Sequence, residues 1–295
     1  MEGRLAQAPI INALTIDVED YFQVSAFAPH IARSTWDARE CRVERNIDRI
    51  LEMLRNQQTK ATFFTLGWIA ERYPSLVKRI VQQGHELASH GYGHERASDL
   101  TQEKFFEDIH RAKALLEDIG GVEVQGYRAP SFSIGKGNLW AFDSLLRAGY
   151  RYSSSIYPIR HDHYGMPDSP RHMYLARPGL LEVPITTLRL LNRNFPSSGG
   201  GYFRLLPYEL SRWMLNRVNS TEGKPGIFYF HPWEIDTHQP RIAGTSVKTR
   251  FRHYVNIGRM ENRLNRLLGD FSWGRMDQIF LGKDTLETPA AAAIV

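Results

Sequence analysis

Short apolar runs of strand type recur along this chain, and the principal ones each run straight into side chains capable of acid–base or metal chemistry. "INALTID" passes into "VEDYF", "HELAS" into "HGYGH", "VQGY" into "RAPSF" and "GIFYF" into "HPWE". Helical patterns lie between them. "ECRVERNIDRILEMLRNQ" carries Val43, Ile47, Ile50, Leu51 and Leu54 at helical spacing. "WIAERYPSLVKRIVQQG" reads as a helix divided at its proline and stopped by Gly84. "TQEKFFEDIHRAKALLEDIGG" opens on Thr101 as a cap, with Lys104 three residues on. Further on, "KATFFTLG", "RYSSSI" and "LLEVPITTL" read as strands, and "LWAFDSLLRAGY" and "PYELSRWMLNRVN" as helices. Strand–helix alternation of this kind points to a parallel α/β sheet or barrel. In such folds the functional side chains gather at the C-terminal ends of the strands.

The chain is long enough, at 295 residues and 42% hydrophobic, to bury a sizeable core. It is read as one domain over residues 10–280, with a tail over 281–295, ending "TPAAAAIV", expected to be poorly ordered. No apolar run approaches the ~20 residues that a membrane helix needs, so no integral membrane segment is expected. The opening "MEGRLAQAPIINALTID" lacks the basic, apolar and small-residue layout of a secretory signal, and the expectation is a cytoplasmic protein. Cys41 is the single cysteine, which excludes an internal disulfide and a cysteine metal knot. The net charge of +5 could favour anionic partners. The arginines are scattered, however, and their densest stretch, "KTRFRHYVNIGRMENRLNRL", reads as a solvated helical face. That stretch is expected to form an interface helix or to cover the base of the barrel. No nucleic-acid motif is present, and no such partner is expected.

Two histidines four apart, His90 and His94, together with a nearby carboxylate, make the ligand set of a catalytic divalent metal that keeps one position open. Such a set accepts zinc, foremost, or cobalt, nickel or iron. His85, on the same strand, reads as a core histidine or one that supports the ligands from behind. The carboxylate comes from "DVED". Alternate residues of an extended chain share a face, so Asp17 and Glu19 point together, which favours Glu19. If the chain turns just after Val18, Asp20 reaches instead, and both Glu19 and Asp20 stand as metal candidates.

Aromatic residues beside these stretches suit the walls of a cleft, although more than half are expected to be packing residues. Tyr21, Phe132, Tyr202 and Trp233 are the candidate substrate contacts. A backbone N–H just after Phe132 or near Ala129 could help hold an oxyanion. "RHDHYGMPDSPRHMY", with His161, His163 and His172, reads as a polar loop over the cleft ahead of a second metal site. "PSSGGGYFRLLP" permits close backbone approach or a sharp bend; it lacks the Lys-Ser/Thr of a phosphate loop.

In order and spacing, "ALTIDVED", "GHELASHGYGH", "GYRAPSF", "YRYSSSIYP" and "YFHPWE" resemble the five motifs of the polysaccharide deacetylases that carry the NodB homology domain, carbohydrate esterase family four. The resemblance covers roughly residues 10–240. "DVEDYF", "SGGGYFRLLPY" and "HPWE" resemble more specifically a subgroup associated with exopolysaccharide loci. The resemblance implies a distorted (β/α) barrel of about seven strands. It implies Asp17 as the base that takes a proton from the attacking water, and His90 and His94 as metal ligands. Arg128 then pairs with the base, and His231 is the acid that protonates the leaving amine. It further implies hydrolytic removal of N-acetyl groups from an amino-sugar polymer or its precursor. In this sequence Val18 separates Asp17 from the next acid, and the fourth motif has Ser153 or Ser154 where the family has an aspartate. Asp143 or Glu234 are the candidates to replace it. An allantoinase-like hydrolase of a small cyclic amide, and a non-catalytic carbohydrate-binding barrel, are the competing readings. Oligomeric state is not specified by any of these features.

Overall fold

The computed structural model describes residues 9–162 and 164–282. His163 and nearly all of the expected tail lie outside the described residues. The first strand, β1 (Ile11–Val18), is buried at every position after Ile11. A helix α1 (Val43–Asn56) follows, then β2 (Thr62–Thr65). Helices α2 (Gly67–Arg72) and α3 (Pro74–Gln82) divide at Pro74, which takes the first position of α3, where its missing N–H costs nothing. The order continues with β3 (Glu86–Ser89), α4 (Gln102–Gly120), β4 (Gly126–Tyr127), α5 (Trp140–Arg147) and β5 (Tyr152–Ser153). Thr101 caps α4, accepting the Lys104 N–H at 3.3 Å.

The second half departs more from the sequence reading. After β6 (Tyr174–Arg177), "LLEVPITTL" is split between two strands: its first residues form β7 (Leu180–Glu182), antiparallel to β6, and after Pro184 the chain leaves the sheet. There β8 (Thr187–Leu190) and β9 (Arg193–Pro196) form a separate hairpin. Then come α6 (Gly200–Leu205), α7 (Tyr208–Glu222) and β10 (Ile227–Phe230). The arginine-rich stretch forms α8 (Val247–Tyr254) and α9 (Ile257–Asp270), followed by β11 (Ser272–Gly274) and α10 (Met276–Phe280). One face of α9, with Met260, Leu264 and Leu267, enters the same core as Phe228, Phe230 and Trp233. It therefore packs beside β10 and is not a free surface helix.

The main sheet runs β10-β1-β2-β3-β4-β5-β7-β6, with β11 added to β1. All its pairings are parallel except β6 with β7. β10 and β6 do not pair with each other, so this is a curled, open version of the distorted barrel, with eight strands along its path. Parallel pairing has a direct consequence for function. The C-terminal ends of β1, β2, β3, β4, β5 and β10 all lie on one rim. No helix among the described residues is long and apolar enough to cross a membrane.

Candidate active site

The residues that follow those strand ends are Glu19, His90, Arg128, Ser154 and His231, with Asp17 one place before the end of β1. His90 is buried, and its Nδ1 donates to the Arg128 carbonyl at 2.8 Å. That bond fixes the tautomer and leaves Nε2 as the lone-pair nitrogen, as in histidines that ligate metals. Burial lowers the His90 pKa to about 4. His94 sits at φ 56°, a left-handed conformation that costs energy for a non-glycine residue and recurs at functional sites. The loop between the two histidines is held by Asp108 of α4, whose carboxylate accepts the N–H groups of Tyr92 at 3.0 Å and Gly93 at 3.3 Å. Gly91 is required there: a Cβ on it would stand 2.7 Å from Asp108 Oδ2.

Glu19 completes the group. Its Oε1 accepts the Trp233 indole N–H at 3.0 Å. Its Oε2 is buried and makes no well-aligned hydrogen bond, with His94 Nε2 2.6 Å away. A buried carboxylate oxygen without an aligned donor is costly. Glu19, His90 and His94 offer one ligand atom each within 4.8 Å of one another, the only such group among the described residues. This donor set fits a divalent cation, with two imidazole nitrogens, one carboxylate oxygen and an open position. Burial by itself would raise the Glu19 pKa. The neighbouring His94, His231 and His90 outweigh it and hold the carboxyl well below the usual carboxylate range.

Asp20 is placed elsewhere. Its carboxylate accepts the N–H groups of Tyr21 at 2.7 Å, Val43 at 2.8 Å and Arg42. It thereby caps the short 3-10 turn Tyr21–Gln23 and the start of α1. Of the two candidate carboxylates, Glu19 lies with His90 and His94, whereas Asp20 faces the backbone of α1.

Asp17 and Arg128 are both buried, with Arg128 Nη1 2.6 Å from Asp17 Oδ1. Arg128 also donates to Thr15 Oγ1, the Ser154 carbonyl and Ser154 Oγ, and its guanidinium lies 4.1 Å from the Phe64 ring centroid. Ser154 of the fourth motif therefore holds Arg128, not a histidine, while Ser153 bonds Ser155. Ala129 N–H donates to Ser155 Oγ at 2.9 Å and is committed. His231 stands opposite, its Nε2 3.9 Å from Asp17 Oδ2 and 3.7 Å from Glu19 Oε1. Its Nδ1 meets Glu234 Oε1 at 2.8 Å. Burial would lower the His231 pKa, but the Glu19, Glu234 and Asp17 carboxylates push it up to about 9. Asp143 pairs at the surface with Arg177 at 2.6 Å, so of the two candidates Glu234 is the one beside His231.

The aromatic expectations need correction. Tyr21 packs edge-on against Phe22 in the core, because the Asp20-capped turn swings it inward. Trp233 is buried, stacked between His231 and His253, with its N–H committed to Glu19. Phe132, at φ 50°, is buried among Tyr157, Tyr164 and Tyr229. These three are packing residues, and only Tyr202 of the four stays half-exposed. His172 pairs with Glu222 at 2.9 Å, while His161 stacks on Tyr164, so the two serve different neighbourhoods. His85 accepts the Ala61 N–H in the core. Arg204 and Asp108 were not legible as site residues. The single hint was the position of Arg204 just after the glycine run.

Residues 28–152 match the model of the polysaccharide deacetylase family, and residues 154–281 match a domain of unknown function, DUF3473. The chain is 33% identical over 94 residues to a peptidoglycan-N-acetylglucosamine deacetylase of Bacillus cereus, covering 32% of this chain and 34% of that protein. It is 30% identical over 118 residues to a peptidoglycan deacetylase of Helicobacter pylori, covering 38% of each. The chain thus spans little more than a third of the length of these relatives. A Mycobacterium smegmatis protein whose solved structure was assigned to the polysaccharide deacetylases shares the fold over 97% of both chains, with a TM-score of 0.62 at 17% identity. Over residues 28–152 the chain is accordingly similar to the polysaccharide deacetylases, and over residues 154–281 to DUF3473.

Proposed function

We propose that this chain is a metal-dependent hydrolase that removes N-acetyl groups from amino sugars of a polysaccharide or its precursor. The observation that carries the reading is the convergence of Glu19, His90 and His94 with a base and an acid on one buried rim. Glu19, His90 and His94 would hold the metal, zinc foremost, which when bound supplies Lewis acidity to polarise the acyl oxygen and activate water. Arg128 fixes Asp17 through Oδ1 and leaves Oδ2 on the side of His231. Asp17 takes the proton of the attacking water as the new C–O bond forms. His231 gives its Nε2 proton to the departing nitrogen as the C–N bond breaks, so the products are acetate and the free amine. Arg128 is buried and hydrogen-bonded on four sides, so the base is held without reorganisation. The names of the deacetylase relatives and the motif resemblance support the substrate class. The "DVEDYF" opening supports an exopolysaccharide substrate ahead of other amino-sugar polymers.

The test is metal analysis of the purified protein and of His90→Ala, paired with acetate release from an N-acetylglucosamine oligomer. One bound metal per wild-type chain, lost in His90→Ala together with acetate release, is expected. Metal without acetate release overturns the substrate, and absence of metal under non-chelating conditions overturns the site. Asp17→Asn should lower turnover by ~10²-fold or more while metal stays bound. Loss of metal in that variant would make Asp17 a ligand and not the base.

A further inference from the structure

Glu234 is completely buried and its carboxylate is held from several directions. Oε1 accepts from His231 Nδ1 at 2.8 Å and from the His231 backbone N–H at 3.1 Å. Oε2 accepts from Arg204 Nε at 2.6 Å. Arg204 is itself 1% exposed, and donates to the carbonyls of His253 at 2.8 Å, Val255 at 2.7 Å and Arg252 at 3.3 Å. The glycine run makes room for this pair. A Cβ on Gly200 would lie 2.1 Å from Glu234 Oε1, and one on Gly199 would lie 2.5 Å from the Tyr229 ring.

A buried ion pair is weak as a source of stability, because its desolvation offsets its attraction. Its geometry does have a specific effect here. An ionised carboxylate can only accept, so the His231 Nδ1 carries a proton and Nε2 is the nitrogen presented to Asp17 and Glu19. The ring cannot rotate away, since Trp233 stacks on it at 5.1 Å and 14°. At the family's fourth-motif place Ser154 holds Arg128 and Ser153 bonds Ser155, so neither serves His231.

We propose that the Arg204–Glu234 pair is the positioning device for His231, and that it is the contribution of the 154–281 unit to the site. Arg204, His231, Trp233 and Glu234 all lie within the DUF3473 match, whereas the metal group and Arg128 precede it. This inference rests on the deacetylase reading for its kinetic arm. Its spectroscopic arm does not depend on any substrate.

Three measurements test it. First, Glu234→Gln should lower acetate release from an N-acetylglucosamine oligomer by ~10²-fold, mainly in kcat. Hydrolysis of 4-nitrophenyl acetate, whose phenolate leaves without a proton, should fall about tenfold less. Equal losses on both substrates would indicate a merely structural role and overturn the proposal. Second, adding Glu234→Gln to His231→Ala should change turnover by less than about twofold, since the two act as one unit. Additive losses would overturn it. Third, long-range nitrogen–proton spectra of the imidazoles should show His231 protonated at Nδ1 in the wild type and an altered tautomer balance in Glu234→Gln. An unchanged spectrum overturns the positioning role even if the wild type proves to release no acetate, a result that would count against the deacetylase reading alone. Should Glu234→Gln not fold, Arg204→Lys, which keeps the charge but not the fork of donors, serves as the second variant. An intermediate loss with the same substrate asymmetry is expected of it, and an even loss on both substrates would overturn the proposal.

Discussion

Glu19 and Asp20 are adjacent acids with different partners. Glu19 turns inward, where its carboxylate faces two imidazoles and no backbone N–H caps Oε2. Asp20 turns outward onto three backbone N–H groups at the start of two helical segments. The same conservative change should therefore give opposite signatures. Glu19→Gln is expected to abolish metal binding, measured by elemental analysis, with little change in the apo protein's thermal midpoint. Asp20→Asn is expected to keep the metal and lower stability by about 1–2 kcal/mol, read from denaturant unfolding, because an amide replaces a charged cap. Metal loss in Asp20→Asn alone would reverse the assignment. Asp108 plays a comparable supporting part for the His90–His94 loop. It sits on a helix and carries no local mark of that task.

At the level of elements, the short helix α6 shows how one glycine run meets three different demands. Gly199 has φ +99°, a region that disfavours side chains, and lies against Tyr229. Gly200 lies against the Glu234 carboxylate, and Gly201 has nothing within 4 Å of its would-be Cβ. Gly200→Ala is expected to cost about 1–3 kcal/mol and to reduce turnover, because the carboxylate must move. Gly201→Ala should be neutral or stabilise by up to about 1 kcal/mol, since alanine is the better helix former. Thermal midpoints of the two variants decide this. If Gly201→Ala proved the more harmful, the packing described for Glu234 would be wrong. The β8–β9 hairpin shows the opposite limit of local reading. A single apolar run, "LLEVPITTL", was divided by Pro184 between two sheets, because proline cannot continue a ladder.

For the molecule as a whole, the open parallel sheet joins the two family-matched segments. The boundary near residue 153 falls within β5, and the central β1 pairs with β10 and β11 from the far end of the chain. Buried carboxyls away from the metal group set part of the pH response. Burial pushes the Glu182 pKa up to about 7, against the Ser153 hydroxyl, the Ile156 and Ser155 N–H groups and the Arg128 charge, which lower it. Tyr174 of β6 also faces it. A folded-state pKa raised above the unfolded value means that the native state binds more protons between pH 4.5 and 7. The contribution of Glu182 to stability is thus complete below pH 4.5 and is lost as pH rises through about 7. Denaturant unfolding at pH 5 and pH 8 should show Glu182→Gln less destabilised by the rise in pH than the wild type. An identical pH slope in the two proteins would show that Glu182 is already ionised when folded.

The sequence by itself determined which residue types stand at the strand ends. Strand termination is local: an apolar run stops where a carboxylate, histidine or arginine begins, and parallel pairing then brings those ends to one rim. The placement of Asp17, His90, His94, Arg128 and His231 along that rim was legible for that reason, as were the alternation of strands and helices and the split at Pro74. The choice between Glu19 and Asp20 was half legible, since alternation favours Glu19 only if the strand stays extended through Val18. The tertiary structure decided the rest. Which carboxylate reaches His231, what the serines after β5 hold, and which aromatics are buried all depend on partners far along the chain. Arg204 meets Glu234 from 30 residues away, and Trp233 meets Glu19 from 214. Contacts of that range follow from how the helices and loops close over the sheet, and no local pattern of residues encodes them.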